Sequence, residues 1–208
     1  MKSSLRLKHS LSNIQKRIDD TNEFYPLLDY SFHDAKRIED AVSGEPRVAS
    51  GAPNVIKEGD RYHSYGINLN HNKLNGSLET LPNFIRKTFI NPNALSIIDL
   101  SFNTFTEIPI AITQFSLLKH FHFHKNLLDD LNELDKLYTL KELKYLTLHR
   151  NPIEDNIPYL RSYVLSILPD LRSFNCTPIS KSDLKTSDAW QKMNKTLTPK
   201  ILNKILQK

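Results

Sequence analysis

Three histidines are spaced so that they could act together on a ligand. His122 and His124 lie two residues apart, so on a β-strand they would share a face, and His149 would lie on the neighbouring strand. Because neighbouring strands are about 5 Å apart, three imidazoles at this spacing could bind zinc. Lys125 and Arg150 would repel a cation there, and no cysteine or glutamate is positioned nearby. We therefore predict no metal site and expect a hydrogen-bonding surface, with a pH-dependent contact as the alternative.

Residues that could support catalysis are few. Cys176, the single cysteine, is predicted to occupy a core position of the last strand, where a thiol is buried and inert. Asp183, Asp188 and Trp190 could form a catalytic or recognition cluster. A simpler interpretation is that Ser182 or Asp183 caps a helix and that Trp190 packs on the domain end or on a partner. We therefore predict that the protein is not an enzyme and has no catalytic residues, cofactor or small-molecule substrate.

The composition is that of a globular protein. The chain has 208 residues, of which 39% are hydrophobic and 25% charged, enough for one core and too apolar for wholesale disorder. The net charge of +5 is uneven, because both ends are basic and the middle is mildly acidic. Basic ends attract acidic partners, although solvated helix ends explain them equally well. No apolar run could span a membrane, and the N-terminus lacks a secretory apolar stretch, so we expect a cytoplasmic protein without a membrane partner.

A leucine-rich pattern determines where the histidines lie. The motif L-x-x-L-x-L-x-x-N is complete at 95–103 and 143–151, and at 118–126 phenylalanine replaces leucine. A weaker copy occupies 67–74, and a last copy at 171–176 lacks the asparagine. Each copy predicts a short strand whose leucines enter a shared core, followed by a sharp turn in which the asparagine satisfies backbone groups. The turn asparagines are Asn72, Asn103, Asn126 and Asn151.

These repeats predict an α/β fold: a short leucine-rich repeat solenoid of about 4–5 repeats, with a C-terminal cap helix and extended N- and C-terminal arms. The segment 159–171 resembles the cap motif of leucine-rich proteins of the protein-phosphatase-regulator and spliceosomal U2 A-prime type. The predicted regions are an N-terminal arm at 1–61 that could hold a helix at 5–20, a leucine-rich repeat domain at 62–180 that includes the cap at 156–178, and a basic helical C-terminal extension at 181–208.

The variable residues between the leucines of such a solenoid line its concave sheet, which is the default site for binding a protein. Here that face is polar, histidine-rich and locally basic. Phe102 is its candidate anchoring aromatic residue, unless the ring leans over a neighbouring strand. The predicted protein-binding residues are Asn68, Asn70, Asp99, Ser101, Phe102, His122, His124, Lys125, Thr147, His149 and Arg150.

Segments outside the repeats carry a closer resemblance. Residues 26–32, 45–47 and 180–194, together with 98–103 and 148–152, resemble the leucine-rich repeat-containing protein 51 family. The resemblance implies a small non-catalytic scaffold, found in organisms that build motile cilia, that is a structural component of the ciliary or flagellar axoneme. It also implies axonemal partners, with tubulin or microtubule-associated proteins among them.

Two other functions compete with this one. A soluble regulatory adaptor of the phosphatase-regulator type would share the cap motif, yet so few repeats offer little surface for gripping a globular enzyme. An RNA-associated adaptor would need aromatic residues interleaved with the basic N-terminal arm, and 1–20 contain none, so we predict no nucleic-acid partner.

The predicted contacts of the arms are Tyr30, Phe32, Arg47 and Trp190.

Overall fold

The repeats form one continuous sheet. A computed structural model of the protein describes residues 27–48 and 55–194, so the predicted helix at 5–20 lies outside the described residues. In order across the sheet, the strands are β1 (Leu27–Asp29), β4 (Gly66–Asn68), β5 (Ile97–Asp99), β6 (His120–His122), β7 (Tyr145–Thr147), β8 (Ser173–Phe174) and β9 (Thr177–Pro178). All neighbours are parallel except β8 and β9. A separate antiparallel hairpin joins β2 (Ile56–Glu58) to β3 (Arg61–His63). The predicted leucine-rich repeat solenoid is confirmed.

The parallel register aligns one buried residue from each strand. Because successive side chains of a strand point to opposite faces, the residues on either side of this buried row face the concave surface. The buried row is at most 3% exposed. From β1 to β8 it consists of Leu28, Ile67, Ile98, Phe121, Leu146 and Phe174.

Four buried asparagines, which we call the asparagine ladder, close the turns after β4 to β7. The Asn103 amide nitrogen donates to the carbonyls of Leu69 and Leu100 at 3.0 Å each. Its oxygen accepts from the Leu74 backbone N–H at 2.9 Å. Each ladder residue therefore ties its own turn to the neighbouring repeat, which confirms the predicted role. The ladder consists of Asn72, Asn103, Asn126 and Asn151.

The sheet begins earlier than the sequence indicated. We predicted an N-terminal arm as far as residue 61, but β1 pairs in parallel with β4. Leu28 and Tyr30 fill the buried positions that leucines fill in later repeats, and the Asn72 oxygen accepts from the His33 N–H at 3.0 Å. The sequence pattern hid this repeat because tyrosine and histidine replace a leucine and the asparagine. Tyr30 is only 2% exposed, so it is a core residue and not the predicted arm contact.

Short helices return the chain along the other side of the sheet. Proline occupies the first turn of Leu81–Thr88 and of Pro152–Asn156, where its missing N–H leaves no intrahelical bond unmade. Buried side chains such as Leu81 and Leu134 complete the core from this side. The α-helices here are Ile38–Ala41, Leu81–Thr88 and Pro152–Asn156, and the 3₁₀ helices are Pro92–Ala94, Ile110–Gln114 and Leu131–Thr139.

Two further α-helices lie at the C-terminal end. The cap helix (Leu160–Ile167) falls within the predicted cap, and the C-terminal helix (Lys181–Met193) packs against it. Ser180, rather than the predicted Ser182 or Asp183, is the N-cap of the C-terminal helix. Its hydroxyl accepts from the Asp183 N–H at 3.1 Å, and the Asp183 carboxylate accepts from the Ser180 N–H at 2.8 Å. The Arg161 guanidinium donates to both Asp183 oxygens, at 3.0 and 3.1 Å, and holds the pKa of that carboxyl well below its usual range.

Trp190 packs within the chain. Its ring stacks on Tyr159 at a centroid distance of 5.2 Å and meets the edge of Tyr163 at 6.0 Å. The C-terminal helix therefore completes the capped end rather than extending from it, although residues beyond 194 lie outside the described part. Within the described residues, no helix is both long and apolar enough to cross a membrane.

Cys176 is exposed, and the prediction of a buried thiol was wrong. β8 ends at Phe174, and the chain reverses through Asn175 and Cys176 into antiparallel β9. Both turn residues have positive φ, at 50° and 61°. Because the last repeat turns back here instead of running on to a core position, the cysteine side chain lies in the turn.

Candidate interaction surface

The concave face brings most of the predicted binding residues into rows that cross the strands. The parallel register places Asp29, Asn68, Asp99, His122 and Thr147 side by side, one from each of β1, β4, β5, β6 and β7. A second row, two residues further along each strand, comprises Ser31, Asn70, Ser101, His124 and His149. The two rows differ from one end to the other, because carboxylates and amides give way to imidazoles.

The end nearest β1 is an interlocked set of amides and carboxylates. The Asn68 amide donates to the Asp29 carboxylate at 3.1 Å, and the Asn70 amide donates to Asp99 at 3.1 Å. The Ser101 hydroxyl and backbone N–H donate to the other Asp99 oxygen at 2.6 and 2.8 Å. These bonds fix the side chains before any ligand arrives. The Asn70 Oδ1 atom is buried and has no hydrogen-bond partner within the described residues.

The other end is the histidine cluster (His122, His124 and His149) around Thr147. The Thr147 hydroxyl lies 3.3 Å from His122 Nδ1 and 3.0 Å from His124 Nδ1. Since a hydroxyl has one proton, it can donate to one imidazole while accepting from the other. His124 and His149 stack with their centroids 4.4 Å apart and their planes 14° apart. Stacked rings direct their nitrogens along parallel planes, and no group of three side chains in the described part is arranged to hold a metal ion.

Burial keeps His122 and His124 neutral near pH 7. Desolvation lowers the pKa of His124 to about 4, and the nearby His149 lowers it further. The pKa of His122 is also lowered by burial, against the opposing effect of Asp99. Protonation therefore begins only in mildly acidic conditions. The positive charge of this face near neutral pH comes from Lys125 and Arg150.

Sequence reasoning missed a third row on this face. His120 stacks on Tyr145 at 4.3 Å and 9°, and burial lowers the His120 pKa to about 4. Ile97 aligns with His120 and is 4% exposed. At Gly66, a Cβ would lie 2.8 Å from the Ile97 Cβ and closer still to Leu27, so only glycine fits there. The sequence could have predicted this row, because its residues lie two positions before those of the first row in each repeat.

A fourth row lies where each strand turns, and we call it the turn row. Its residues have φ between 51° and 60°, in the left-handed region that favours glycine and asparagine. The sharp turn directs the following residue, an asparagine in the later repeats, back into the core. The turn row consists of Phe32, His71, Phe102, Lys125 and Arg150.

The turn row is a continuous stack from Phe32 to Lys125. The Phe32 and His71 centroids are 4.4 Å apart, and those of His71 and Phe102 are 3.9 Å apart. The Lys125 ammonium lies 4.4 Å from the Phe102 centroid, and the Arg47 guanidinium lies 5.1 Å from the Phe32 centroid. Phe102 therefore leans over the neighbouring repeat, as the alternative interpretation held. Of the predicted arm contacts, Phe32 and Arg47 belong to this stack.

Comparison with known proteins identifies the family. No family model matches the chain. Leucine-rich repeat-containing protein 51 of Rattus norvegicus is 37% identical over 169 residues, covering 81% of this chain and 86% of the rat protein. The Homo sapiens protein of the same name is 36% identical over the same coverage. This chain belongs to the leucine-rich repeat-containing protein 51 family.

Two more distant matches are a solved structure and a centrosomal protein. The leucine-rich repeat structure in the Drosophila melanogaster SNF/U2A' complex superposes with a TM-score of 0.51 at 21% identity, covering 75% of this chain and 82% of that one, and shows the shared fold. The Mus musculus centrosomal protein of 72 kDa is 31% identical over 94 residues, which is 45% of this chain and 14% of that protein. Family and fold together support a protein-interaction scaffold, and leucine-rich repeat proteins of this kind are typically non-catalytic.

Proposed function

We propose that this protein is a non-catalytic scaffold and a structural component of the ciliary or flagellar axoneme, bound to microtubule-associated partners. The observation that carries the proposal is the preformed concave face. Membership of the leucine-rich repeat-containing protein 51 family supports the same role. The similarity of 45% of the chain to a protein named for the centrosome supports a cytoskeletal setting.

The mechanism we infer is geometric. Asn70 and Ser101 are held on Asp99 by hydrogen bonds within the chain, so a partner meets side chains that are already ordered. Binding to such a surface loses less conformational entropy than binding to mobile side chains. The solenoid would act as a rigid spacer between larger proteins.

The geometry supports a scaffold better than an enzyme. The Thr147 hydroxyl beside His124 is the hydroxyl nearest to an imidazole on this face, but Thr147 is only 6% exposed and cannot reach a substrate. Cys176 is exposed in the turn between β8 and β9, and the described contacts give it no histidine as a base. A nucleophile and base in contact with a substrate would be needed for acyl transfer.

Localisation of a tagged copy in a ciliated cell tests the proposal. Isolated cilia would be extracted first with detergent and then with high salt, and the tagged protein followed by immunoblot. We expect the wild type to stay with the axoneme through both steps. A His124→Ala/His149→Ala variant should be released more easily, whereas the control Glu142→Ala, an exposed change in the loop before β7, should behave as the wild type.

Two outcomes would contradict the axonemal role. One is absence of the wild type from cilia, and the other is its full release by detergent alone. A soluble regulatory adaptor would then be the better proposal, and capture of a phosphatase would be its first test.

A further inference from the structure

We propose that the turn row, with Arg47 at its end, binds an extended acidic peptide of a partner protein. The proposal deepens the scaffold role and rests on it, since it names the surface and the chemistry of one partner. The row lies at the edge of the concave face, where the strands turn, rather than at its centre.

The backbone conformation is the first observation. Phe32, His71 and Phe102 all have positive φ, which bulky side chains rarely adopt because the Cβ atom crowds the carbonyl oxygen. The asparagine ladder over-determines the turn and so maintains this conformation. Persistent strain of this kind is concentrated at functional sites.

The ring stack presents edges, not faces, to the solvent. The parallel sheet places His71 between Phe32 and Phe102, and the close centroid distances show that both His71 faces are covered. The outer faces of the stack are covered by Arg47 and Lys125. The edge of an aromatic ring carries partial positive charge, so an anion is attracted to the exposed side of such a stack.

The cations along the row are available for a ligand. Among the described residues, Arg47, Lys125 and Arg150 have no carboxylate within ion-pair distance of their side-chain nitrogens. The Arg47 guanidinium donates to the Ser31 hydroxyl and carbonyl at 3.0 and 3.1 Å. These bonds fix the position of its positive charge at the first end of the row.

The carboxylates near the row in the sequence are already engaged. Asp29 and Asp99 accept hydrogen bonds on the concave face, from the Asn68 amide and the Ser101 hydroxyl. Asp34 pairs with Lys73 at 2.6 Å. Glu154 accepts from the Arg150 N–H at 2.8 Å and from the Asn175 amide at 3.1 Å. None of these carboxylates forms an ion pair with Arg47, Lys125 or Arg150. The edge therefore keeps a positive field that an acidic partner complements.

The length of the row suits an extended segment. The row crosses five neighbouring strands, so its ends are about 19 Å apart at the usual strand spacing of about 4.8 Å. An extended chain rises about 3.3 Å per residue, so about six residues would span the row. Phe32, which is 62% exposed, offers the same segment an apolar contact.

An acidic peptide fits better than a single-stranded nucleic acid. Nucleobases bind aromatic platforms by stacking on open ring faces. In the turn row the stacking faces are occupied by neighbouring rings and cations. The remaining ring edges and cations match carboxylates, which need no stacking surface.

Fluorescence anisotropy tests the proposal on the full chain at low salt. The probe is a fluorescein-labelled oligoglutamate of about ten residues, long enough to exceed the row. The comparison ligands are an oligolysine and an oligothymidylate of the same length. We expect oligoglutamate to bind most tightly and its affinity to fall as salt is added.

Variants locate the binding. Lys125→Gln/Arg150→Gln should weaken oligoglutamate binding at least tenfold, and Phe32→Ala should weaken it about threefold. Lys141→Gln is the matched control, because Lys141 also lies over an aromatic ring, Tyr138 at 3.3 Å, but outside the turn row. Urea midpoints of all variants would show whether each is folded.

Each outcome decides between the proposals. Equal binding by the double variant and by Lys141→Gln, or tighter binding of oligothymidylate, would overturn the acidic-peptide site. If the double variant also stays in the axoneme after extraction, the scaffold role stands and only the assigned surface is wrong. If the wild type binds the probe but is absent from cilia, the surface stands and the axonemal role fails.

Discussion

Asn103 and Phe102 are neighbours in the sequence, yet the Asn103 side chain is buried and the Phe102 side chain is partly exposed. Asn103 is 6% exposed and bonds four backbone groups of two repeats. Phe102 remains partly exposed, with positive φ, and contacts the turn residues His71 and Lys125 as well as the edge of His124. The asparagine ladder thus holds the repeats together, while the turn row is held in place by the ladder. In each repeat, the residue that stabilises the fold directly follows the residue that is exposed on the turn row.

Breaking the ladder should have the largest effect. Asn103→Ala leaves the Leu69 and Leu100 carbonyls and the Leu74 N–H buried without this partner. We expect the free energy of unfolding to fall by about 3 kcal/mol, since each unpaired buried group costs about 1–3 kcal/mol. Urea denaturation followed by circular dichroism measures this. Asn156→Ala, at an exposed asparagine, is the control, and an equal loss in both would contradict the role of the ladder.

Acid should have the next largest effect, and it acts on histidines of the concave face that belong neither to the ladder nor to the turn row. The pKa values of His120 and His124 are lowered to about 4, so the unfolded chain binds more protons than the folded one between pH 4 and the usual histidine pKa of about 6.5. Stability is therefore complete above that window and is lost as pH falls through it. We expect a loss of about 2 kcal/mol between pH 7 and pH 5, roughly half of what two full pKa shifts would give, because solvent screens the partly exposed His124.

The measurement for this second prediction is the urea midpoint at a series of pH values. His124→Gln should reduce the slope between pH 5 and pH 7, because glutamine does not titrate there. An unchanged slope in the variant would show that His124 does not carry the pH dependence.

Coupling within the turn row should be smaller. A double-mutant cycle of His71→Ala and Phe102→Ala measures the contact between the two rings, whose centroids are 3.9 Å apart. We expect a coupling energy of about 1 kcal/mol, within the range for stacked aromatic pairs. Additive effects in urea denaturation would mean that the stack is held only by its turns.

The smallest effect should have the opposite sign. Arg150→Gly replaces an exposed residue at φ 60° with one that adopts this conformation freely. We expect the free energy of unfolding to rise by about 0.5 kcal/mol, because relief of strain slightly exceeds the added entropy of the unfolded chain. Lys192→Gly, within the C-terminal helix, should lower it by about 1 kcal/mol instead. A loss of stability in Arg150→Gly would mean that the arginine contributes a contact of its own.

The comparison also shows what the sequence could reveal. The ladder was predictable because asparagine recurs at a fixed place in a leucine pattern, and only a buried polar side chain needs that regularity. The turn row was predicted only in part. Phe102, Lys125 and Arg150 were among the predicted binding residues, but the ring stack and its extension to Phe32 were not, since these residues share no side-chain type. What the turn-row residues share is a positive φ, which their residue types do not predict.

Departures from the pattern hid both ends of the sheet. At the first end, Tyr30 and His33 replace a leucine and an asparagine, and β1 was therefore assigned to an arm. At the last end, Cys176 matched a core position by spacing but lies in a turn, because β8 pairs with antiparallel β9. Strand pairing decides such positions, and pairing depends on residues far away in the sequence.

By itself, the sequence determined the repeat, its core leucines, its turn asparagines and the family. Burial and hydrogen bonding require leucine and asparagine at fixed spacings, and this spacing remains visible when other residues are substituted. Only the tertiary structure decided which side chains meet across repeats. Phe32 and His71 are far apart in the chain and stack only because β1 and β4 are paired in register. The surface that we assign to an acidic partner exists because parallel strands bring one residue of each turn to the same edge.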